Sequence, residues 1–331
     1  MSRSSALAEL RAAAAVVYRS MPPTLAYAWP LLREETGVEC WVKHENHTPI
    51  GAFKLRGGLV YLARLRAHDP GLVGLVSATR GNHGQSLAFA CAQHKVRCVI
   101  VVPKGNARDK NAAMKALGAE LIEQGSDFDA ARGFAAGLAH ERGLHFVPSF
   151  HNDLVDGVAS YALELFESAP PLDTVYVPIG LGSGICGVVR ARDALGLSTR
   201  VVGVVAQGAN AYALSFRAGA LLTTAQALTI ADGMAVRVPD ASALDIIMQS
   251  VARIVEVSDT AIMRAIAMLL RTTHNLAEGA GAASLAALLE EREAMRGKRV
   301  GLILCGANLD AEVLASVLDA DAQARRLDPA A

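Results

Sequence analysis

The sequence lacks several features that would place it in particular classes of protein. Lysine plus arginine and aspartate plus glutamate both number 32, so no net charge attracts nucleic acid or an acidic membrane surface. No apolar stretch approaches the roughly 20 residues that a membrane span needs. Glu9 and Arg11 interrupt the N-terminal segment, which favours an amphipathic surface helix over a signal peptide. We therefore expect a soluble protein with no nucleic-acid or membrane partner.

Cysteine and aromatic residues are also scarce. There are five cysteines, an odd number, and they show neither CxxC nor zinc-ligand spacing: Cys40, Cys91, Cys98, Cys186 and Cys305. A reduced, cytoplasmic setting is therefore expected rather than a disulfide framework. Aromatic residues make up only 5% of the chain, whereas small apolar residues are abundant, as in proteins that pack helices against a parallel sheet.

The order of apolar segments predicts an α/β fold. Short apolar runs bounded by glycine, proline or charge alternate with segments of helical periodicity, which is typical of βαβ units. We predict strands at residues 39–43, 74–78, 97–103, 119–123, 145–148, 174–178, 201–206, 253–257 and 300–304. Between them lie segments with apolar residues at helical spacing, such as residues 55–67, 83–94, 110–117, 128–142, 185–195 and 260–274, which we predict to be helices. The 331 residues suffice for two domains, although composition alone allows one large domain or two.

The first candidate site is Lys54, in the segment HENHTPIGAFKLRGG. It lies between Phe53 and Leu55, where a helix is predicted to begin. Lysine forms Schiff bases, and apolar surroundings lower its pKa toward the reactive neutral amine. Taken alone, the residue is equally compatible with a surface lysine whose aliphatic stem covers apolar neighbours.

The second candidate site is SATRGNHGQSLAFA, residues 77–90, in which a strand is followed by a turn and a helix. The first turn of that helix offers unpaired backbone N–H groups to an anion such as a carboxylate, and Asn82 and His83 add polar side chains. The alternative is an N-cap asparagine followed by a surface histidine. Gly81 and Gly84 disfavour that alternative, because glycine weakens a helix unless a close approach requires it.

The third candidate site is PIGLGSGICG, residues 178–187, again between a strand and a helix. Its four glycines leave backbone amides bare around Ser183, which forms a cup suited to phosphate. The Walker lysine is missing and the spacing is not GxGxxG, so a nucleotide site is weakly supported. An ordinary tight turn between strand and helix remains the alternative.

Together, and in this order, the three segments resemble the fold-type II pyridoxal-phosphate (PLP) enzymes, specifically the serine/threonine dehydratase and serine racemase family. The resemblance extends from about Thr24 to Asp310. Its most specific parts are GAFKLRGG, GNHGQS, TIADGMAV at 229–236, AEGAGAA at 277–283 and LCGANLD at 304–310. It implies an α/β fold like that of the tryptophan synthase β chain, with two twisted, mostly parallel sheets flanked by helices. It also implies a small substrate-carboxylate domain (50–153) inserted into a large cofactor-binding domain (1–49 and 154–331).

The resemblance implies how pyridoxal 5'-phosphate is held. Lys54 corresponds to the Schiff-base lysine, which also serves as the base for the substrate's α-proton. Phe53 corresponds to a residue near the cofactor ring, and Asn82 to the partner of its phenolic oxygen. Cys305 lies where the family places a side chain beside the pyridine nitrogen; as a weak donor it would favour elimination over transamination. The phosphate cup comprises Gly180, Leu181, Gly182, Ser183 and Gly184.

The resemblance also implies how the substrate is held, and here the sequence departs from the family. Thr79, Asn82 and His83 correspond to the loop that grips the substrate carboxylate. Arg80 stands where dehydratases usually have alanine and racemases have a serine acid/base. It either turns outward or pairs with a structural carboxylate, or it faces the substrate side chain. If Arg80 faces the substrate side chain, it would grip a β-carboxylate, as in 3-hydroxyaspartate, or stack on an aryl group, as in phenylserine.

A second departure concerns metal binding. Family members with a divalent-metal site carry acidic residues where Val205 and a position near Ala211 align, and both residues are apolar here. We therefore expect no metal site. Because the chain stops soon after the last motif, we also expect no C-terminal regulatory domain.

The expected function is that of a PLP-dependent dehydratase/deaminase, or ammonia-lyase. It would convert a small β-hydroxy L-amino acid of the threonine or serine type, or a bulkier one, to a 2-keto acid and ammonia, as a homodimer. One alternative is an amino-acid racemase, which Arg80 disfavours because a guanidinium is no general base near neutral pH. Another is a catalytically silent PLP-binding protein, which the retention of Lys54, Asn82 and the glycine cup disfavours.

Overall fold

The computed structural model describes residues 2–327. Within this range the strands are β1 (Ala26–Ala28), β2 (Glu39–His44), β3 (Gly74–Ala78), β4 (Arg97–Val102), β5 (Glu120–Glu123), β6 (His145–Phe146), β7 (Thr174–Pro178), β8 (Arg200–Ala206), β9 (Arg253–Val257) and β10 (Arg299–Leu304). The helices are α1 (Arg3–Val17), α2 (Pro30–Thr36), α3 (Lys54–His68), α4 (Asn82–His94), α5 (Arg108–Ala116), α6 (Phe128–Arg142), α7 (Asn152–Ser168), α8 (Ser183–Leu195), α9 (Ala211–Ala218), α10 (Ala241–Ser250), α11 (Asp259–Thr273), α12 (Gly279–Glu290), α13 (Arg292–Met295) and α14 (Ala311–Leu327).

The strands form two sheets. The larger sheet has the order β1-β2-β10-β7-β8-β9, and the smaller has the order β5-β4-β3-β6. Every pairing is parallel except that between β1 and β2. The prediction of two mostly parallel sheets flanked by helices is therefore confirmed. No helix among residues 2–327 is both long enough and apolar enough to span a membrane.

The predicted elements differ from the observed ones mainly at their ends. Strands 74–78, 174–178 and 253–257 match, whereas the strand predicted at 145–148 is paired only over His145–Phe146. The sequence analysis missed β1, a strand of only three residues whose side chains are mostly exposed. A strand of three residues is shorter than the apolar runs of roughly 4–8 residues by which the buried parallel strands were identified.

Four buried charges hold helix α3 in place. Arg56, in its first turn, donates from Nε to Glu45 Oε2 (2.6 Å) and from Nη1 to Glu164 Oε1 (2.5 Å). Lys43 on β2 donates from Nζ to Glu164 Oε2 (2.5 Å). Lys43, Glu45 and Arg56 are fully buried, and Glu164 is nearly so. Two positive and two negative charges thus compensate each other and join β2, α3 and α7.

Removing one member of this network should be costly. We expect Arg56→Ala to lower the free energy of unfolding by about 3–5 kcal/mol, because Glu45 and Glu164 would keep their burial and lose their main partner. Arg64 lies on the same helix and bridges Asp153 and Asp156, but its side chain is 38% exposed. Arg64→Ala is therefore the matched control, with an expected loss of about 1 kcal/mol or less. Urea unfolding of both variants measures the difference, and equal losses would contradict the expectation.

Candidate active site

The predicted site residues lie around one cleft between the two sheets. The turn after β3 and the turn after β7 both open into it, so the carboxyl ends of strands from both sheets face the same space. All residues that the sequence analysis assigned to cofactor or substrate line this cleft: Phe53, Lys54, Thr79, Arg80, Asn82, His83, Gly180, Leu181, Gly182, Ser183, Gly184 and Cys305. Segments far apart in the sequence are thus brought together.

Lys54 is directed into this cleft. It is the first residue of α3, and its Nζ donates to Ser183 Oγ (2.7 Å) and lies 5.0 Å from the centroid of the Phe53 ring. Burial of the ammonium lowers the pKa of Lys54 to about 8 from an ordinary value of 10.5. A substantial fraction of the side chain is therefore a neutral amine near physiological pH, as a nucleophile or a proton acceptor requires.

The glycine cup requires its glycines. A Cβ on Gly180 would lie 2.3 Å from the carbonyl oxygen of Gly233. Gly182 has a positive φ of 102°, and a Cβ there would lie 2.6 Å from that of Ala243. The first backbone bond of α8 runs from Cys186 N to Gly182 O (3.0 Å), so the preceding N–H groups have no helical acceptor. They line the cleft at a helix N-terminus, a suitable setting for phosphate.

The loop at the start of α4 presents a second set of donors. Its first helical bond runs from Gln85 N to Gly81 O (3.1 Å), which leaves the N–H groups of residues 82–84 without helical acceptors. Asn82 Nδ2 donates one hydrogen to Glu278 Oε1 (2.7 Å) and retains a second. Burial and the charge of Lys54 lower the pKa of His83 to about 3, so its ring is neutral. Its Nε2 is buried without a partner.

Three charged residues of the cleft, Lys110, Asp232 and Glu278, were not assigned by the sequence analysis. Lys110 crosses the loop after β3 so closely that a Cβ on Gly81 would lie 2.7 Å from its Cδ. Its Nζ donates to Asp232 Oδ2 (2.9 Å). Burial lowers the pKa of Lys110, but the charges of Glu278 and Asp232 outweigh this and raise it. Asp232 and Glu278 belong to the quoted motifs TIADGMAV and AEGAGAA, whereas Lys110 lies in no motif.

Cys305 and Arg80 complete the lining. Cys305 follows β10, and burial together with the charge of Glu278 raises the pKa of its thiol well above the ordinary range, so it is uncharged. Arg80 forms no ion pair within the described residues, and its Nε is buried without a hydrogen-bond partner. Pairing with a structural carboxylate, one of the two interpretations of Arg80, is therefore not observed.

Comparison with known proteins identifies the family. The sequence pattern of the family described as "Pyridoxal-phosphate dependent enzyme" matches residues 20–306. The chain belongs to this family. Its cofactor is accordingly pyridoxal 5'-phosphate, and the cleft fits it. A lysine with a lowered pKa lies beside a cup of free backbone amides, and any residue larger than glycine at Gly180 or Gly182 would clash there. The predictions of family, fold class and cofactor are confirmed.

Individual PLP enzymes of this family are similar over nearly the whole chain. L-threonine ammonia-lyase of Thermotoga maritima is 32% identical over 305 residues, covering 92% of this chain and 75% of that protein. L-threo-3-hydroxyaspartate ammonia-lyase of Pseudomonas sp. is 31% identical over 288 residues, covering 87% and 90%. The solved structure of the processed form of threonine deaminase isoform 2 from Solanum lycopersicum superimposes with a TM-score of 0.89 at 26% identity, covering 95% and 92%.

The lowered pKa of Lys54 predicts how the apoenzyme takes up PLP. Only the neutral amine attacks the cofactor's carbonyl carbon, so the rate of uptake should rise about tenfold per pH unit below the pKa and level off above about 8. Stopped-flow absorbance of apoenzyme mixed with PLP, between roughly pH 6 and 10, measures this rate. A rate that keeps rising to pH 10, as for an ordinary lysine, would refute the expectation.

Proposed function

We propose that this chain is a PLP-dependent ammonia-lyase that removes water and ammonia from a β-hydroxy L-amino acid. The observation that carries the proposal is the position of Lys54, an amine of lowered pKa between the glycine cup and the donors that open α4. Relatives that act on threonine and on 3-hydroxyaspartate support the same class of reaction. A small amino acid is accordingly the proposed partner of the cleft.

The side chains have distinct tasks in this reaction. PLP, when bound, makes the substrate's α-proton acidic by delocalising the negative charge left behind. We assign the acceptance of that proton to the neutral amine of Lys54. The free N–H groups of residues 82–84, with Thr79 beside them, hold the substrate carboxylate. The β-hydroxyl takes up a proton, which balances the one that Lys54 accepts, and leaves as water; the unsaturated amine that remains reacts with a second water to give a 2-keto acid and ammonia.

One side chain that we assign to the cofactor ring supports elimination over other PLP reactions. Cys305 is the residue that we place at the pyridine nitrogen, and an uncharged thiol does not keep that nitrogen protonated as a carboxylate would. Transamination, which depends on prolonged storage of negative charge in the ring, is thereby disfavoured.

The two alternatives make different demands on the site. A racemase needs a second acid/base on the opposite face of the substrate, and Arg80 cannot accept a proton near neutral pH. A silent PLP-binding protein could use the neutral amine of Lys54 to bind the cofactor, but it would have no need of the free N–H groups at the start of α4 that suit a substrate carboxylate. Adding L-serine or L-threonine and recording the cofactor's absorbance together with keto acid separates all three: the lyase alone changes the spectrum and releases keto acid.

We also propose the domain organisation and the setting. Residues 50–153 would form a small substrate-carboxylate domain inserted between the parts of a large cofactor-binding domain, residues 1–49 and 154–331. The distribution of strands supports this, because β3 to β6 form their own sheet and all lie within 50–153. A reducing cytoplasmic setting is supported by five cysteines that are buried and unpaired. A homodimer remains a prediction.

Replacing the lysine tests the central assignment. We expect Lys54→Ala to reduce keto-acid formation to the limit of detection, because both the covalent anchor of PLP and the α-proton acceptor are lost. Circular dichroism should show a folded protein. Lys104 is exposed in the turn after β4, so Lys104→Ala is the matched control and should retain activity. Keto-acid release by Lys54→Ala comparable to that of the control would overturn the assignment.

Chelation tests the expected absence of a metal requirement. Val205 and Ala211 are buried apolar residues, and within residues 2–327 no cluster of three or more His, Cys, Asp or Glu side chains could hold a metal ion. We therefore expect EDTA to leave keto-acid formation unchanged. A large loss that Mg²⁺ reverses would show that the loop around residue 205 is misaligned or that another site exists.

A further inference from the structure

A second cavity adjoins the cleft and is here called the side chamber. Five residues line both spaces: Arg80, Phe128, Leu181, Ala235 and Val236. Four of the five present apolar surface, and Arg80 alone among them carries a charge. Arg80 lies within the loop assigned to the substrate carboxylate, between Thr79 and Asn82, so the chamber adjoins the space that we assign to the substrate's β-carbon. A side chain extending from that carbon has a path into it.

The charges in the side chamber are compensated with one exception. Arg237 pairs with Asp129 (2.5 Å) and Asp127 (3.4 Å), and Arg132 pairs with Asp129 (3.4 Å). Both carboxylates of the chamber therefore already have arginine partners. Among the described residues that line it, Arg80 is the cation left without a carboxylate, and its Nε is buried with no acceptor. A buried donor of a charged group that makes no hydrogen bond raises the free energy of the folded protein.

A substrate oxygen is the group that removes this cost. A guanidinium donates in a planar fork that matches a carboxylate and also serves a single carbonyl oxygen. Phe128, Leu181 and Val236, each partly buried, place apolar surface beside Arg80, and a lower local dielectric strengthens such a bond. The side chains of serine and threonine carry no oxygen beyond the β-hydroxyl, which is the leaving group, so neither would satisfy Arg80.

We propose that the side chamber is a subsite for a substrate side chain that carries an oxygen acceptor, a carboxylate or a carboxamide, at or beyond Cγ. Arg80 is the residue that recognises this acceptor. The preferred substrates are then β-hydroxy amino acids larger than threonine and more polar than phenylserine. The identity of the reaction rests on the proposed ammonia-lyase function, whereas the binding preference does not.

Binding without chemistry tests the subsite directly. L-aspartate, L-asparagine and L-leucine are similar in size and lack the β-hydroxyl leaving group, so calorimetric titration of the holoenzyme compares side-chain recognition alone. We expect aspartate and asparagine to bind about tenfold or more tightly than leucine. Arg80→Met should abolish this preference, and Arg80→Lys should retain part of it. Arg132→Met is the matched control, an arginine of the same chamber with its own carboxylate, and should keep the preference.

Turnover gives the second measurement. The kcat/KM of the wild-type enzyme should be higher for 3-hydroxyaspartate than for threonine or phenylserine, and Arg80→Met should lower the ratio of 3-hydroxyaspartate to threonine by about 10–100-fold. Equal losses on every substrate, or a wild-type preference for phenylserine or threonine, would overturn the subsite. Threonine turnover without preferential binding of aspartate or asparagine would refute the subsite and leave the lyase standing. Preferential binding of aspartate and asparagine without keto acid from any substrate would support the subsite and refute the lyase.

Discussion

The ion pairs of Arg56 determine where Lys54 can be. Arg56 lies half a turn after Lys54 in α3 and is held by Glu45, which follows β2, and by Glu164 of α7. Any shift of this turn would separate buried charges that water cannot reach to solvate, and the high cost of that separation fixes the position of the first turn of α3. The carbonyl oxygen of Lys54 also accepts from Ser86 Oγ of α4 (2.6 Å). The lysine is thereby positioned relative to both sheets before any cofactor contributes.

The same arrangement explains why one cleft serves two anions. Parallel strands direct their carboxyl ends to one edge, and the helices α4 and α8 that follow β3 and β7 begin there, with free N–H groups and positive dipole ends. One helix end suits a carboxylate and the other a phosphate, while Lys54 lies between them. Between the positive ends of these two helices a charged ammonium on Lys54 is unfavourable, which acts in the same direction as the burial that lowers its pKa.

Sequence reasoning reached most of this site because its chemistry is local. The buried strands appear as continuous apolar runs, and the two glycine-rich turns mark close approaches that the structure contains at Gly81, Gly180 and Gly182. Contacts across the cleft carry no such signal. Lys110 bonds Asp232, which lies 122 residues further along the chain. Within the described part of the chain, Arg80 lacks a carboxylate partner because the nearby Asp127 and Asp129 pair with Arg237 instead. Such relations arise from packing and cannot be derived from spacing along one chain.

The orientation of Asn82 shows how the contacts across the cleft define the chemistry. Asn308 Nδ2 donates to Asn82 Oδ1 (2.8 Å), and Asn82 Nδ2 donates to Glu278 Oε1 (2.7 Å). Turning the amide over would set two donors against each other and two oxygens against each other, so only one orientation satisfies all partners. The remaining N–H of Asn82 is therefore available as a donor, which is what its proposed role as the partner of the cofactor's phenolic oxygen requires. Burial raises the pKa of Glu278, and the charge of Lys110 and the hydrogen bond from Asn82 offset this only in part. Asn308 and Glu278, to which the sequence analysis gave no role, thus orient Asn82, to which it did.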